Sequence, residues 1–473
     1  MRQSRIKVSE LAIVSAIALL AFAPASVAQE APATGSDVGS DVMDFLNGPG
    51  VPGPLAPLGK KLHAAGFTPK LNMIAVDINN LSEGEKTGKH ESLMMFNVGL
   101  DTDLEKLIGL NGSTIHFNYL YVPGPHDNGN YFGSYGADSL VGNSGPFIPY
   151  VSHMNQFTWE QKLFGDRLDL EAGKSNPGNY FAKSLCNQPF VCQGISLQDG
   201  AGFAPPPYAN LGARAAYKIT PEVTAQGGYW RYNTAFPFSK GWEGWTGSVS
   251  TPAAFGSQYI VHPNVGMYFG NVTYETTYKT DRYPKYYELM FYHNDGKQID
   301  MLTSKTHDGA DGMYIGGRQT VWREAGESLA PRPTAVSVYG SLYASFDPNA
   351  GVPGAYSVQD EVDTGITLEG PFHSRPFDSY SVKFIWQHVS SHQQQFMKTF
   401  NTNYTVGPDE KAFGVDANFM LAGSVILSPW ALYVLDPNAL QATENGVSYN
   451  GNPKSGFAVG VNLVVLLDKM LGL

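Results

Sequence analysis

From Phe67 onward, apolar and polar side chains alternate along the chain with a period of two. Met94, Phe96, Val98 and Leu100 alternate with Met95, Asn97, Gly99 and Asp101, and Ile115, Phe117, Tyr119 and Tyr121 with Thr114, His116, Asn118 and Leu120. Later, Val336, Val338, Leu342 and Ala344 interleave with Ser337, Tyr339, Ser341, Tyr343 and Ser345. In an extended chain this period sends successive side chains to opposite faces, so each run reads as a strand with one apolar face. No amphipathic helical period competes with it. The runs predict about sixteen strands of roughly ten residues, the length a tilted strand needs to cross a hydrocarbon layer. They start near residues 67, 92, 113, 154, 167, 210, 222, 265, 285, 311, 334, 361, 379, 411, 424 and 456.

The connections sharpen this picture. Phe164-Gly165-Asp166, Thr220-Pro221 and Lys279 to Pro284 are tight turns, whereas long Gly/Asn/Pro-rich stretches lie at 124–153, 176–209, 232–265 and 391–410. Short turns at one end, long loops at the other and an even strand number describe a transmembrane antiparallel β-barrel with both termini on the periplasmic side. The predicted fold is therefore all-β, a barrel over residues 67–473 with short periplasmic turns and long external loops.

Two segments precede it. In residues 1–28, Arg2, Arg5 and Lys7 form a positive start, Leu11 to Phe22 an apolar core, and Ser26 and Ala28 a small-residue cleavage site, the pattern of a secretory signal peptide. Residues 29–66 read as a turn-rich periplasmic leader with a short helix around Leu58 to Ala65. Its GPGVPG at Gly48 to Gly53 matches a dinucleotide fingerprint only in letters, because two prolines and the lack of a flanking strand and helix remove the phosphate-binding geometry.

Composition agrees with a barrel. Gly is abundant (52), aromatics reach 12% and charged residues only 15%, against roughly 25% charged in average soluble proteins. Removing three basic and one acidic residue with the signal from totals of 31 and 42 leaves a formal charge of −13. Such a chain repels nucleic acid, which is not expected as a partner. Past the signal no apolar run is long enough for a membrane helix. Neither Gly-x-Ser-x-Gly nor His-Glu-x-x-His occurs, and His388 and His392 straddle a strand end where four residues do not share a face. Asp308 and Asp311 read as solvated turn residues rather than calcium ligands. No catalytic residue, metal site or cofactor is expected. A soluble exported all-β protein that binds or hydrolyses carbohydrate is the competing reading that composition alone admits.

Several ordered segments carry a resemblance across essentially the whole mature chain. They are Gly99-Leu-Asp-Thr-Asp-Leu104 with Ile108-Gly-Leu-Asn-Gly112, the hairpin from Glu160-Gln161 through Arg167-Leu168 to Gly173-Lys174, and Gly365-Ile-Thr-Leu-Glu-Gly-Pro-Phe372 followed by Arg375-Pro376-Phe377-Asp378. Leu427-Ser-Pro429 with Tyr433 and Pro437 completes the set. In this order the chain resembles the carbohydrate-selective porins, the OprB family. The resemblance implies a Gram-negative outer-membrane pore, not an enzyme, through which small neutral sugars diffuse passively. It also implies outer-membrane lipid and the barrel-assembly machinery as partners, and a monomer or homotrimer. Two departures stand out: the chain ends Met470-Leu-Gly-Leu473 where porins usually end in an aromatic residue, and Asn462 replaces an expected basic residue in the last strand.

A sugar carries no charge to steer it, so a pore favours it with fixed hydrogen-bonding groups and aromatic faces, held to weak affinity so that the solute leaves. Alternation points Arg167, Asp169 and Glu171 into the lumen, and the next strand adds Arg214 and Lys218. The 176–209 segment joins the fifth and sixth strands, the connection that folds inward and narrows sixteen-stranded porins generally. It holds the chain's two cysteines, Cys186 and Cys192, expected as a disulfide in an exported protein. Lys174, Lys183, Asn187, Gln188, Gln193 and Asp199, in or beside it, are candidate eyelet contacts. Phe157, Trp159, Tyr229, Tyr287, Phe291, Phe384 and Trp386 fall on lipid-facing positions, whereas Trp230, Tyr286, Tyr339 and Tyr343 fall inward and are candidates for stacking on sugar.

Overall fold

The computed structural model describes residues 53–84, 87–123, 152–186, 209–232, 265–300, 302–325, 334–347, 358–400, 405, 407–437 and 454–473. Sixteen strands account for most of them. The first eight are β1 (Phe67–Asn80), β2 (Lys89–Asp103), β3 (Ser113–Tyr121), β4 (His153–Leu163), β5 (Leu168–Ser175), β6 (Asn210–Lys218), β7 (Val223–Tyr232) and β8 (Val265–Glu275). The second eight are β9 (Lys285–Ile299), β10 (Thr306–Arg323), β11 (Ala335–Ser345), β12 (Val358–Glu369), β13 (Ser379–Val389), β14 (Asp409–Ala422), β15 (Val425–Leu435) and β16 (Gly456–Leu466). Each pairs antiparallel with its sequence neighbours, and β1 pairs with β16 from Asn72↔Leu466 to Asn80↔Ala458, so the sheet closes on itself without an edge.

Closure is what a membrane demands, since lipid offers no partner to a free backbone N–H or C=O. The outer face carries the apolar half of each alternation: Phe157, Trp159, Phe291, Val382, Phe413 and Val415 are all exposed there. The inner face carries the polar half. Residues 1–52, with the expected signal peptide, lie outside the described residues, and the expected leader helix is α1 (Ala56–Ala64).

That helix belongs to a bracket over the seam between first and last strands. Helix α4 (Leu467–Leu471) follows β16 directly, after α2 (Leu104–Ile108) and α3 (Ser391–Phe400) in chain order. The Leu55 N–H donates to the Leu471 carbonyl at 2.8 Å, and the Leu71 N–H donates to Asp468 Oδ2 at 3.2 Å. Gly59 allows the approach, because a Cβ there would overlap the Gly472 carbonyl.

Two segments depart from the sequence reading. Strand β10 begins at Thr306 rather than near 311, because Gly309 adopts φ 78° at a bulge between Asp308 and Ala310 that keeps the ladder running through a stretch that looks like a loop. Asp311 is consequently a strand residue, its carboxylate 2.8 Å from His293 Nδ1. The 391–410 connection, read as irregular, opens with α3. From that helix His392 Nδ1 meets Asp300 Oδ2 at 2.6 Å, while His388 Nδ1 meets Asp409 at 2.7 Å, so the two histidines serve separate carboxylates.

Candidate functional site

The lumen wall over β1 to β6 carries a ladder of charges, most of them paired with a neighbour one strand away. Register generates it: Asp101 opposes His116, Glu160 opposes Glu171, Lys162 opposes Asp169, and Glu171 opposes Arg214. Lys70 Nζ lies 2.5 Å from Asp101 Oδ2, and His116 Nδ1 lies 2.8 Å from Asp101 Oδ1. The other His116 nitrogen is 3.5 Å from Glu160 Oε2, which Lys162 Nζ approaches to 3.3 Å.

At the end of the ladder one guanidinium serves two carboxylates. Arg214 donates from Nε and Nη2 to Glu171 Oε2 at 3.1 and 2.9 Å, and from Nη2 to Asp169 Oδ2 at 2.8 Å. Glu171 Oε1 accepts three further hydrogen bonds, from Thr158 Oγ1 at 2.7 Å, the Tyr180 hydroxyl at 2.6 Å and Gln156 Nε2 at 3.4 Å. A buried carboxylate is tolerated only when its lone pairs are answered in this way.

Tyr180 belongs to the connection after β5, which turns into the lumen. Its turn is built locally: the Asn176 side chain accepts from the Gly178 N–H at 2.7 Å at the start of a single 3-10 turn, Pro177–Asn179. The chain then crosses the inner faces of successive strands and is fastened to each. The Tyr180 ring lies 4.4 Å from the Arg214 guanidinium carbon, and its carbonyl accepts from Gln226 Nε2 of β7 at 2.7 Å. Glu288 of β9 accepts the N–H groups of Ala182 at 2.9 Å and Lys183 at 3.4 Å. It is held in turn by Asn271 Nδ2 at 2.6 Å and the Tyr286 hydroxyl at 2.7 Å. On β10, Arg318 donates to the Leu185 carbonyl at 3.1 Å and is paired with Glu369. Main-chain anchoring of this kind fixes a loop whatever its side chains do.

Beneath the loop sits Trp230. Tyr180 stacks on its indole at 5.8 Å, Phe181 meets it edge-on at 5.8 Å, and its Nε1 donates to Ser175 Oγ at 3.2 Å. A Cβ on Gly212 or Gly228, its neighbours across and along the sheet, would collide with the ring, so the indole lies flat on two glycines. The same device recurs around the wall: Tyr339 lies over Gly365, Lys383 over Gly414 and Trp430 over Gly460. Gly212→Val is therefore expected to lift the indole and lower stability by about 1–3 kcal/mol, a cost of overpacking. A urea titration of the refolded barrel measures it, and an unchanged midpoint would contradict the seat.

The residues expected from sequence divide into four groups. Asp169, Glu171 and Arg214 come together as one cluster, and Lys183 is exposed on the inserted loop with Nζ 6.0 Å from the Tyr286 ring centre. Lys174 and Lys218 are corrected as eyelet contacts. Lys174 is 1% exposed and cannot present its ammonium to a solute, and Lys218 sits at the foot of β6, roughly 13 Å of strand below Arg214. Arg167 likewise lies in the β4–β5 turn, its Nε 3.4 Å from the Lys218 carbonyl. Trp230 and Tyr339 point inward as expected, but each is only 1% exposed, so neither offers an open ring face. Cys186 is disulfide-bonded, whereas Asn187, Gln188, Cys192, Gln193 and Asp199 lie outside the described residues. Sequence reasoning missed Tyr180, Gln226, Glu288 and Arg318. Glu288 and Arg318 had a signal, a single charge at an inward position of an otherwise uncharged stretch.

The profile of the carbohydrate-selective porin family, OprB, matches residues 89–449. Among solved structures, Pseudomonas putida OprB at high pH aligns with a TM-score of 0.67 at 17% identity, over 86% of this chain and 95% of that one. The low-pH structure of the same protein aligns with a TM-score of 0.51 at 12% identity, over 86% and 94%. A complex of Salmonella typhi OmpF with daunomycin aligns with a TM-score of 0.51 at 8% identity, over 85% and 98%. At these identities the structural likeness shows the fold alone. No curated protein matches the sequence.

Proposed function

This chain belongs to the carbohydrate-selective porin family, OprB, and on that premise we propose that small neutral sugars are selected where the inserted loop faces the ladder of paired charges. The protein is an outer-membrane β-barrel channel for sugars, and family and fold alike point to a channel rather than an enzyme. The observation that carries the finer reading is the Asp169–Glu171–Arg214 cluster with Tyr180 stacked on it. It sets donors and acceptors side by side, one guanidinium shared between two carboxylates.

A hydroxyl can exchange one water contact for a donor and another for an acceptor along such a wall. A simple ion gains little there, because the charges it meets are bonded to opposite ones. We take Lys183, Asp169, Glu171 and Arg214 as the solute-facing set, with Cys186 and Cys192 bridged to stiffen the loop beyond them. Insertion through the barrel-assembly machinery and function as a monomer or homotrimer complete the proposal.

Liposome swelling with glucose, a larger oligosaccharide and a charged solute of glucose size tests it. The expected order puts glucose first, and Lys183→Ala narrows its lead. Equal flux of glucose and the charged solute, unchanged by that substitution, would reduce the protein to a general diffusion pore.

A further inference from the structure

On the external side the hairpin between β9 and β10 outgrows both its neighbours. The last pairing of β8 with β9 is Met267↔Asn294, and the last of β11 with β10 is Ser345↔Gly312. The β9–β10 ladder runs on through Ala310↔Asn294 and His307↔Gln298 to Thr306↔Ile299. Beyond the rim it forms a two-stranded arm roughly 17 Å long. Asp300 closes the tip: its Oδ1 accepts from the N–H groups of Leu302 at 2.9 Å and Thr303 at 3.2 Å, and its carbonyl accepts from the Ser304 N–H at 2.7 Å.

An arm standing upright in water would expose both faces. In this one Asn294, Gln298 and Asp300, which continue the inward parity of Glu288, Met290 and Tyr292, are buried, whereas Asp295 and Lys297 between them are exposed. The lumen-side face is thus the covered one. At the arm's root lies the bulge at Gly309, φ 78°, and a bulge bends the strand that carries it.

The tip also meets a second hairpin. Asp300 Oδ2 lies 2.6 Å from Nδ1 of His392 on α3. Around the wall β9 and β13 are four strand spacings apart, roughly 19 Å. His392 follows Val389 of β13 by three residues, which reach at most about 10 Å. The arm must cross the remainder. Helix α3 is pinned to its own hairpin, for Gln394 Nε2 donates to the Gly407 carbonyl and the Val389 N–H to the Pro408 carbonyl, both at 2.9 Å. A fixed support therefore holds the imidazole out to the arm, and Asp300 gives one oxygen to its own turn and the other to that ring.

We propose that the β9–β10 arm is a strap at the external mouth, fastened to α3 by the Asp300–His392 pair, and that release of this pair widens entry to the lumen. The strap acts at the mouth rather than at the inserted loop, so it governs access for every solute and stands apart from sugar selectivity. Two paired strands keep the arm stiff, the bulge lets it bend at the root, and the pair sits at the tip where leverage is greatest. A partly exposed pair shifts such a closed–open balance by about two- to fivefold.

The test uses the full-length protein in liposomes and planar bilayers. His392→Phe keeps a ring on α3, removes its N–H and leaves Asp300 to close its own turn. It is expected to raise the flux of an oligosaccharide that the wild type passes slowly by about two- to fivefold. In Asp300→Cys combined with His392→Cys, a short bifunctional thiol reagent should join arm to helix and bring that flux below the wild-type value. Cys186 is disulfide-bonded, so the engineered thiols are the ones that react. Heat-modifiable gel migration confirms assembly of each variant. Thiols that fail to cross-link in the folded barrel would show that arm and helix are not held together, and the strap is overturned. Cross-linking that proceeds while flux and conductance stay the same before and after it, with His392→Phe equal to wild type, would make the pair a brace between two loops and overturn control of entry.

Discussion

Arg214→Ala should turn a nearly unselective conductance into a cation-selective one. The guanidinium bonds both Asp169 and Glu171, and its removal leaves Glu171 with the neutral donors Thr158, Tyr180 and Gln156 beside an unbonded Asp169 carboxylate. Two uncompensated negative charges at the narrowed level attract cations and raise their local concentration. The stability cost is also large, on the order of 3–5 kcal/mol for breaking a buried pair by deleting one side. The barrel should survive it, because sixteen strands close without that residue. Reversal potentials across a planar bilayer under a potassium chloride gradient read the charge effect directly. Arg214→Lys should fall between, since an ammonium keeps the charge but cannot bond both carboxylates through a planar fork. A reversal potential identical in wild type and Arg214→Ala would place the cluster away from the conduction path.

The same residue shows what the sequence discloses. Arg214 is alternate with outward-facing residues on β6, so its inward direction follows from period two, as it does for Asp169 and Glu171 on β5. Strand starts are legible for the same reason, most within a few residues. What alternation cannot supply is register between strands far apart in sequence. Trp430 and its seat on Gly460 are separated by a long external connection, and no local pattern says that one glycine lies under that ring rather than another. The Tyr339 hydroxyl and Asp363 come together only once β11 and β12 are aligned. Lys174 fails differently: its place beside the loop makes it a candidate, whereas period two on β5 gives it the parity of Leu168 and Leu170, and its side chain is buried. The anchors on the loop were hidden because they are mostly main-chain groups, and Glu288 binding the N–H of Ala182 leaves no trace in residue type. Family resemblance named the loop as a constriction; only geometry names what fastens it.

Trp230→Ala is expected to release that fastening at its root. Truncating a fully buried indole costs about 3–5 kcal/mol through lost burial and the cavity left behind. Here the cavity opens under the loop, since Tyr180 and Phe181 both rest on the ring. The loop keeps its polar anchors at Gln226, Glu288 and Arg318, so the single variant should loosen it rather than free it. Glu288→Gln removes the charge that accepts the Ala182 and Lys183 N–H groups, and because both sites hold one loop their effects should exceed additivity in combination. The expected sequence is a modest rise in single-channel conductance for each single variant. The double variant should show a larger rise, together with entry of an oligosaccharide that the wild type excludes. Trp230→Phe, which retains a ring over Gly212 and Gly228 but cannot donate to Ser175, should lie close to wild type. Conductance and size limit unchanged in the double variant would mean that the loop does not set the width of the pore.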